Sequence, residues 1–200
     1  MNIFEAIETR RSVKSFDPAH VMPDADLAKL VALTQLAPSS FNIQHTRIVH
    51  VTDKPLRAEI QKAAWHQAQI TEASALFVFC ADTMAWKKDP ARYWQHAPQQ
   101  TQDYLVPMIA PFHEGNDQLQ RDEALRSVGL SAQTMMLAAR GMGYDSCPMI
   151  GFDQAAVAKL INLPHDHIIG MIVTVGKGIK PAHPRGSILP MNEVLITNHF

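Results

Sequence analysis

"ALFVFCA", residues 75–81, is an unbroken apolar run rich in aromatic and branched side chains. It is too short for a buried helix, and it does not alternate apolar with polar. It therefore predicts a strand covered on both faces. Such a strand needs helices above and below its sheet, so the question is whether the rest of the chain supplies them.

Working outward, "HIIGMIVTVG" (167–176) reads as a second buried strand, and "TRIVHVT" (46–52) as a largely alternating one. "YDSCPMIGF" (144–152) is a short extended piece. Helices are expected at Ile3 to Thr9, with Asn2 as cap and Ile3, Phe4 and Ile7 on one face. A second starts at Asp24 or Asp26, with Leu27, Leu30, Val31 and Thr34 on its packed face, and stops before Pro38. Others cover about Pro55 to Ala64 and Asp153 to Ile161. The clearest is "DEALRSVGLSAQTMMLAARGMG" (122–143), where Leu125, Val128, Gly129, Ala132, Met135, Met136 and Ala139 recur at helical spacing. Its flanks are nearly all apolar, which marks a central helix, and Gly129, Ala132 and Ala139 would admit a second helix closely. Thr83 to Gly115 mixes aromatics and prolines and reads as irregular helix and loop. The element order gives an α+β or three-layer α/β class in a single domain, residues 1–200. A variable segment is expected at about 83–118, and an extended tail from about 176.

The totals exclude several functions. A hydrophobic fraction of 46% with 18% charged residues is that of a folded protein, not a disordered one. A net charge of −1 gives nucleic acid no global attraction. No apolar run approaches the roughly 20 residues that cross a bilayer, and no secretory signal opens the chain, so a cytoplasmic protein is expected. Cys80 and Cys147 form no spacing motif and read as buried free thiols. GxGxxG, GxxxxGK[ST] and GxSxG are all absent. The "HDH" at 165–167 lacks a third close ligand, so no metal is expected.

Four stretches carry polar chemistry. "RRSVKSF" (10–16) places Arg10, Arg11, Ser12 and Lys14 where the first helix stops, as a phosphate cradle or as a solvated helix end. "APSSFNIQ" (37–44) gathers Ser39, Ser40, Asn42 and Gln44, suited to a polyol or a heteroaromatic edge, or to a plain surface loop. "CPMIGF" (147–152) offers Gly151, where a flat ligand can approach the main chain, or an ordinary turn. The tail places Lys177, Lys180, His183 and Arg185 on an extended, proline-punctuated segment.

Taken in order, "RRSVKSF", "APSSFNIQHTRIVHV", "AQITEASALFVFC", "CPMIGFD" and "PRGSILP" resemble successive motifs of the nitroreductase family of flavin mononucleotide (FMN) enzymes. The resemblance runs from Ile3 to about Pro190 and weakens between Met84 and Gln118. It implies a nitroreductase-like three-layer α/β/α fold with a central mixed sheet, in an interlocked homodimer whose two flavin sites are shared at the interface. Arg10, Ser12 and Arg185 would hold the flavin phosphate, with Arg11 and His183 nearby and Lys14 at the pyrimidine edge. Pro38, Ser39, Ser40, Asn42 and Gln44 would come from the partner subunit. Pro148, Met149, Ile150 and Gly151 would line one ring face, with the Gly151 N–H reaching N5.

The same resemblance implies NADH or NADPH as donor and nitroaromatics, quinones or similar flat acceptors, reduced by ping-pong hydride transfer. No side chain need act as acid or base, so no catalytic residue is named. Two departures stand out: Ile150 replaces a frequent acidic residue, and His66 and Gln69 stand where some members carry asparagine and lysine. Trp86, Tyr93, Trp94, Tyr104 and Phe112 would shape the substrate pocket. The alternatives are a flavin enzyme of this fold with another task, such as enone reduction or oxygen-dependent flavin cleavage, and a flavin-binding dimer without turnover.

Overall fold

The computed structural model describes all 200 residues. The run that opened the sequence is strand β2, Ala75–Asp82, and it is buried at every position. β1 (Thr46–His50) pairs with one side of it and β4 (His167–Gly176) with the other. β3 (Asp145–Met149) closes the far edge, giving the order β1-β2-β4-β3.

Alternate β2 side chains enter two separate cores. Leu76, Val78 and Cys80 pack with Ile60 of α3 (Lys54–Ala63) and Val157 of α7 (Gln154–Leu160). Between α3 and α7 in the chain come α4 (Gln69–Glu72), α5 (Gln99–His113) and α6 (Asp117–Gly141). On the other face, Ala75, Phe77, Phe79 and Ala81 pack with Leu30 of α2 (Asp24–Thr34) and with Ala124, Val128, Ala132 and Met135 of α6. Helices thus cover both faces, as two-sided burial requires. Each large side chain so buried stabilises the fold by ~1.5–3 kcal/mol. Gly170 lets α6 come down onto β4: a Cβ there would stand 2.5 Å from Val128 Cγ1.

The helix starts are set locally. Asn2, Asp53, Asn116 and Asp153 each accept the amide of the third residue on, and Asn2 forms a reciprocal box with Glu5 ahead of α1 (Ile3–Thr9). Past β4 the chain is extended and exposed, except for one turn of helix, α8 (Met191–Val194). No helix is long and apolar enough to cross a membrane.

Four expectations are corrected. The sheet is not mixed across its strands: all three pairings are antiparallel, and parallel pairing is confined to a bridge between Ser12 and Ser146. The irregular stretch contains α5, a fifteen-residue helix with Pro107 and Pro111 inside it. α6 begins at Asp117, well before the apolar periodicity starts. The small residues of α6 do not act alike: Ala132 shares its core cluster with Leu30 of α2, which packs on α6, whereas a Cβ at Gly129 would meet nothing within 4 Å, so no helix of the chain closes on Gly129.

His45, fully buried, shares a hydrogen bond with Ser127 through Nδ1 (3.0 Å) and leaves Nε2 without a partner. Burial, then the neighbouring His113, pulls its pKa down to about 4 from 6.5. The unfolded chain therefore binds the extra proton first. Stability present above pH 6.5 should be lost as the pH falls toward 4, by up to ~3 kcal/mol from this group. Urea unfolding at pH 7, 5.5 and 4.5 should show that loss, and His45→Gln should flatten it. An equal slope in the variant would assign the acid sensitivity elsewhere.

Candidate functional site

Where α1 ends, Arg10 turns extended and the chain runs along the open edge of β3. Val13 N–H donates to Ser146 O (3.0 Å), and Val13 and Phe16 are buried in the core beneath. Ser12 and Lys14, on either side of Val13, are left exposed. The C-terminal tail returns across the same place. Arg11 donates to the His183 carbonyl, and Arg185 Nη2 donates to the carbonyls of Glu8 and Arg10 (3.3 Å each). Three guanidiniums thus converge from the two ends of the chain.

No carboxylate balances them: Arg10, Arg11 and Arg185 enter no ion pair. Arg10 Nη1 is buried with no hydrogen-bond partner, and burial, then Arg185 and Arg11, lower its pKa. An unpaired, partly desolvated guanidinium among like charges is costly unless an anion completes it. The cluster has the donor set of a phosphate site.

Behind it sits Cys147 on β3. Burial pushes its thiol up, while the neighbouring Lys14, Arg10 and Gln69 pull the other way. Gln69 Nε2 also lies 3.5 Å from Met149 Sδ and donates to Gln67 Oε1 (3.0 Å). Gln67 Nε2 in turn donates to the Gly151 carbonyl (2.8 Å). Trp65 and His66 open this loop with φ of 53° and 57°, a conformation side chains disfavour. Trp65 covers Gly151 so closely that a Cβ there would meet Cζ3 at 2.8 Å. Arg10, Arg11, Ser12, Lys14, Gln69, Pro148, Met149, Gly151, His183 and Arg185 therefore share one surface around β3. Ile150 and His66 are exposed beside it.

Pro38, Ser39, Ser40, Asn42 and Gln44 do not join it. They precede β1, at the opposite edge of the sheet. They also lie at the opposite end: Thr46 pairs with Ala81, whereas Ser146 aligns through Val175 with Ala75. About 25 Å of sheet separates the two corners. Phe41, Asn42 and Gln44 have positive φ, and Ser39 Oγ accepts the Gln44 amide (2.9 Å). A cavity of about 320 Å³ adjoins this segment, lined by Pro38, Ser39, Gln44, Arg47, Ser127 and Ser131 among others. Asn42 already uses one of its two amide protons: its Nδ2 holds the Tyr93 carbonyl (2.9 Å), and Trp94 Nε1 holds that of Phe41 (3.0 Å).

Trp86 is core, stacked on His113 at 5.7 Å. Tyr93 and Trp94 pack against its cluster, while Tyr104 and Phe112 are exposed. Asp166 and His167 of the "HDH" meet Asp82, but the Lys88 ammonium lies between the two acids, 2.8 Å from Asp82 and 2.6 Å from Asp166. Its charge fills the role a cation would take there. Sequence reasoning missed Gln67 and Trp65, which carry no signal until the turn brings them to Gly151.

The nitroreductase family model matches residues 7–177. The chain belongs to the nitroreductase family. Protein DrgA of Synechocystis is 51% identical over 91% of this chain and 87% of its own. MhqN of Bacillus subtilis, provisionally named an NAD(P)H nitroreductase, is 34% identical over 94% of each chain. Among solved structures, the nitroreductase YdfN of B. subtilis, also provisionally named, superposes with a TM-score of 0.90 at 34% identity, covering 96% of this chain and 97% of its own. A family structure from Exiguobacterium sibiricum in complex with FMN gives 0.89 at 25% identity, covering 98% and 97%.

The arginine cluster makes a direct prediction. Millimolar phosphate should raise the melting temperature above that in chloride of equal ionic strength, and Arg10→Ala should remove the increment. An increment that survives in the variant would place the anion elsewhere.

Proposed function

We propose that this nitroreductase-family chain is an FMN-dependent NAD(P)H oxidoreductase that reduces nitroaromatics, quinones or similar flat acceptors by a ping-pong route. The observation that carries it is the unpartnered Arg10 Nη1 within the Arg10, Arg11 and Arg185 cluster, on the same surface as a glycine with a free N–H. The FMN in the Exiguobacterium structure supports the choice of anion.

FMN would supply two-electron chemistry, accepting hydride from NADH or NADPH and passing it on. Arg10, Ser12 and Arg185 would hold its phosphate, with Arg11 and His183 behind them. Lys14, beside Cys147, would place its cation at the ring edge where negative charge gathers on reduction. Pro148 to Gly151 would floor the ring, with the Gly151 N–H donating to N5, and Gln69 and His66 would flank it. Proton and hydride exchange need no acid or base from the chain, so no catalytic residue is assigned. Two free, buried thiols suit a reducing cytoplasm.

The working unit is proposed to be a homodimer with composite sites. A ligand anchored at Arg10 cannot also touch Ser39, Ser40 or Gln44 of the same chain across about 25 Å of sheet. Those residues would serve the partner's flavin. Apolar side chains left outside, Ile3, Phe4 and Ile7 on α1 and Ile188, Leu189 and Leu195 on the tail, give a second chain surface to cover.

Purified protein should show flavin absorption bands, about one FMN per chain, that bleach on mixing with NAD(P)H. A colourless protein that quenches no added FMN would overturn the cofactor, and flavin that stays oxidised would leave a binder without turnover. Arg10→Ala and Arg185→Ala should each weaken FMN ~10- to 100-fold and riboflavin little, since each hydrogen bond to a charged group contributes ~1.5–3 kcal/mol.

Composite sites make a further prediction. Arg10→Ala chains mixed with Ser40→Ala/Gln44→Ala chains should recover up to half the flavin once exchange is verified by mass spectrometry. One heterodimer site then carries all the changes and the other none. No recovery after verified exchange would mean that each chain builds its own site.

A further inference from the structure

Four amides around Gly151 stand head to tail. Gln69 Nε2 donates to Gln67 Oε1 (3.0 Å), and Gln67 Nε2 donates to the carbonyl of Gly151 (2.8 Å). That carbonyl belongs to the Gly151–Phe152 peptide, whose N–H donates to Ile150 O (3.1 Å). The Ile150 carbonyl belongs to the Ile150–Gly151 peptide, whose N–H is that of Gly151 and finds no partner in the chain. The two middle amides, the Gln67 side chain and the Gly151–Phe152 peptide, accept at oxygen and donate from nitrogen. Each bond therefore withdraws electron density from the amide that accepts it, and the effect accumulates at the last donor.

The chain is anchored as well as aligned. Gln69 is buried, and Gln61 Nε2 reaches the Gln67 carbonyl (3.3 Å). The tight turn from Ile150 to Phe152 has no room for a side chain at its centre, because Trp65 occupies the space. The free N–H is thus held at a fixed place, at the end of a polarised series, with no charged residue in it.

We propose that Gln67 is a positioning residue that orients and strengthens the Gly151 N–H as a donor to an acceptor nitrogen of the bound cofactor ring. The proposal rests on the flavin reading given above. A flavin N5 accepts a hydrogen bond when oxidised and carries its own proton when reduced. A sharpened donor therefore favours the oxidised form, and Gln67 holds the bound flavin's potential down. The neutral amides do this without adding charge, whereas Lys14 acts on the reduced form through its charge.

Gln67→Met keeps the length and removes both donor and acceptor, and Gln67→Leu repeats the test at this half-buried position should Met not fold. FMN titration of the wild type comes first: no binding would overturn the flavin reading and this proposal with it. Given binding, both variants should still load FMN. The ratio of oxidised to reduced FMN affinity should fall ~3- to 10-fold, the midpoint potential moving upward, with tenfold equal to ~30 mV for a two-electron couple. In flavin-free protein labelled with ¹⁵N, the Gly151 and Phe152 amide protons should move upfield as the series loses its donor. Variants that lose stability or FMN affinity with an unchanged potential and unchanged Gly151 and Phe152 shifts would make Gln67 merely structural and overturn the proposal.

Discussion

β2 meets water on neither face, and that one constraint organises the molecule. Its odd-numbered side chains build one core with α2 and α6, and its even-numbered ones build the other with α3 and α7. Truncating a buried aromatic such as Phe77 would cost ~3–5 kcal/mol, a large share of the total stability of an ordinary domain. A strand this apolar cannot sit at an edge, so β1 and β3 take the edges. Polar chemistry is thereby pushed outward. The arginine cluster lies along β3, and the Ser39–Gln44 segment leads into β1.

β3 is suited to its place. Pro148 cannot donate to a ladder, which an edge strand tolerates and a central one does not. Instead of a fifth strand, the segment from Arg10 to Lys14 pairs with β3 through a single bridge, with Val13 turned into the core and Ser12 and Lys14 left outside. One extended segment both closes the sheet and presents its cations. The tail then adds Arg185 from the far end of the chain. No local stretch of sequence holds the cluster; the topology assembles it.

What could be read in the sequence was what local physics decides. Helices with an Asn or Asp cap and an apolar stripe, such as α1 and α7, stand where the pattern placed them. The start of α6 was hidden because its first turns, Asp117 to Arg121, are polar except for Leu119 and carry no apolar period. α5 was hidden by Pro107 and Pro111, which ordinarily argue against a helix interior. Antiparallel pairing could not be read, since it depends on how the connections cross the sheet. At the site, the residue types of Arg10 to Lys14 and of Ser39 to Gln44 were legible, but not that they occupy opposite corners. That Asn42 holds the Tyr93 carbonyl could not be read either, since nothing in the sequence ties the two together. Gln67 looked like any loop glutamine.

The strained residues explain why that last gap matters. Of the eight non-glycine residues with positive φ, five (Phe41, Asn42, Gln44, Trp65 and His66) fall in the two candidate corners, each at a cost of about 1–3 kcal/mol. Strain of that size persists only where neighbours over-determine the backbone. Around Trp65 and His66 they do: His66 N–H is bound to Gln61 O, Gln67 N–H to Ala64 O, and Asp153 N–H ties the start of α7 back to Ala63 O. The loop has one conformation because several hydrogen bonds agree on it. That conformation lays the Trp65 ring on Gly151 and brings the Gln67 amide to the Gly151 carbonyl. Relaxing the loop would leave the Gly151 turn with neither its cover nor its donor. The unfavourable backbone at 65 and 66 is therefore what fixes a glycine 85 residues further on, in a turn that leaves its N–H without a partner in the chain.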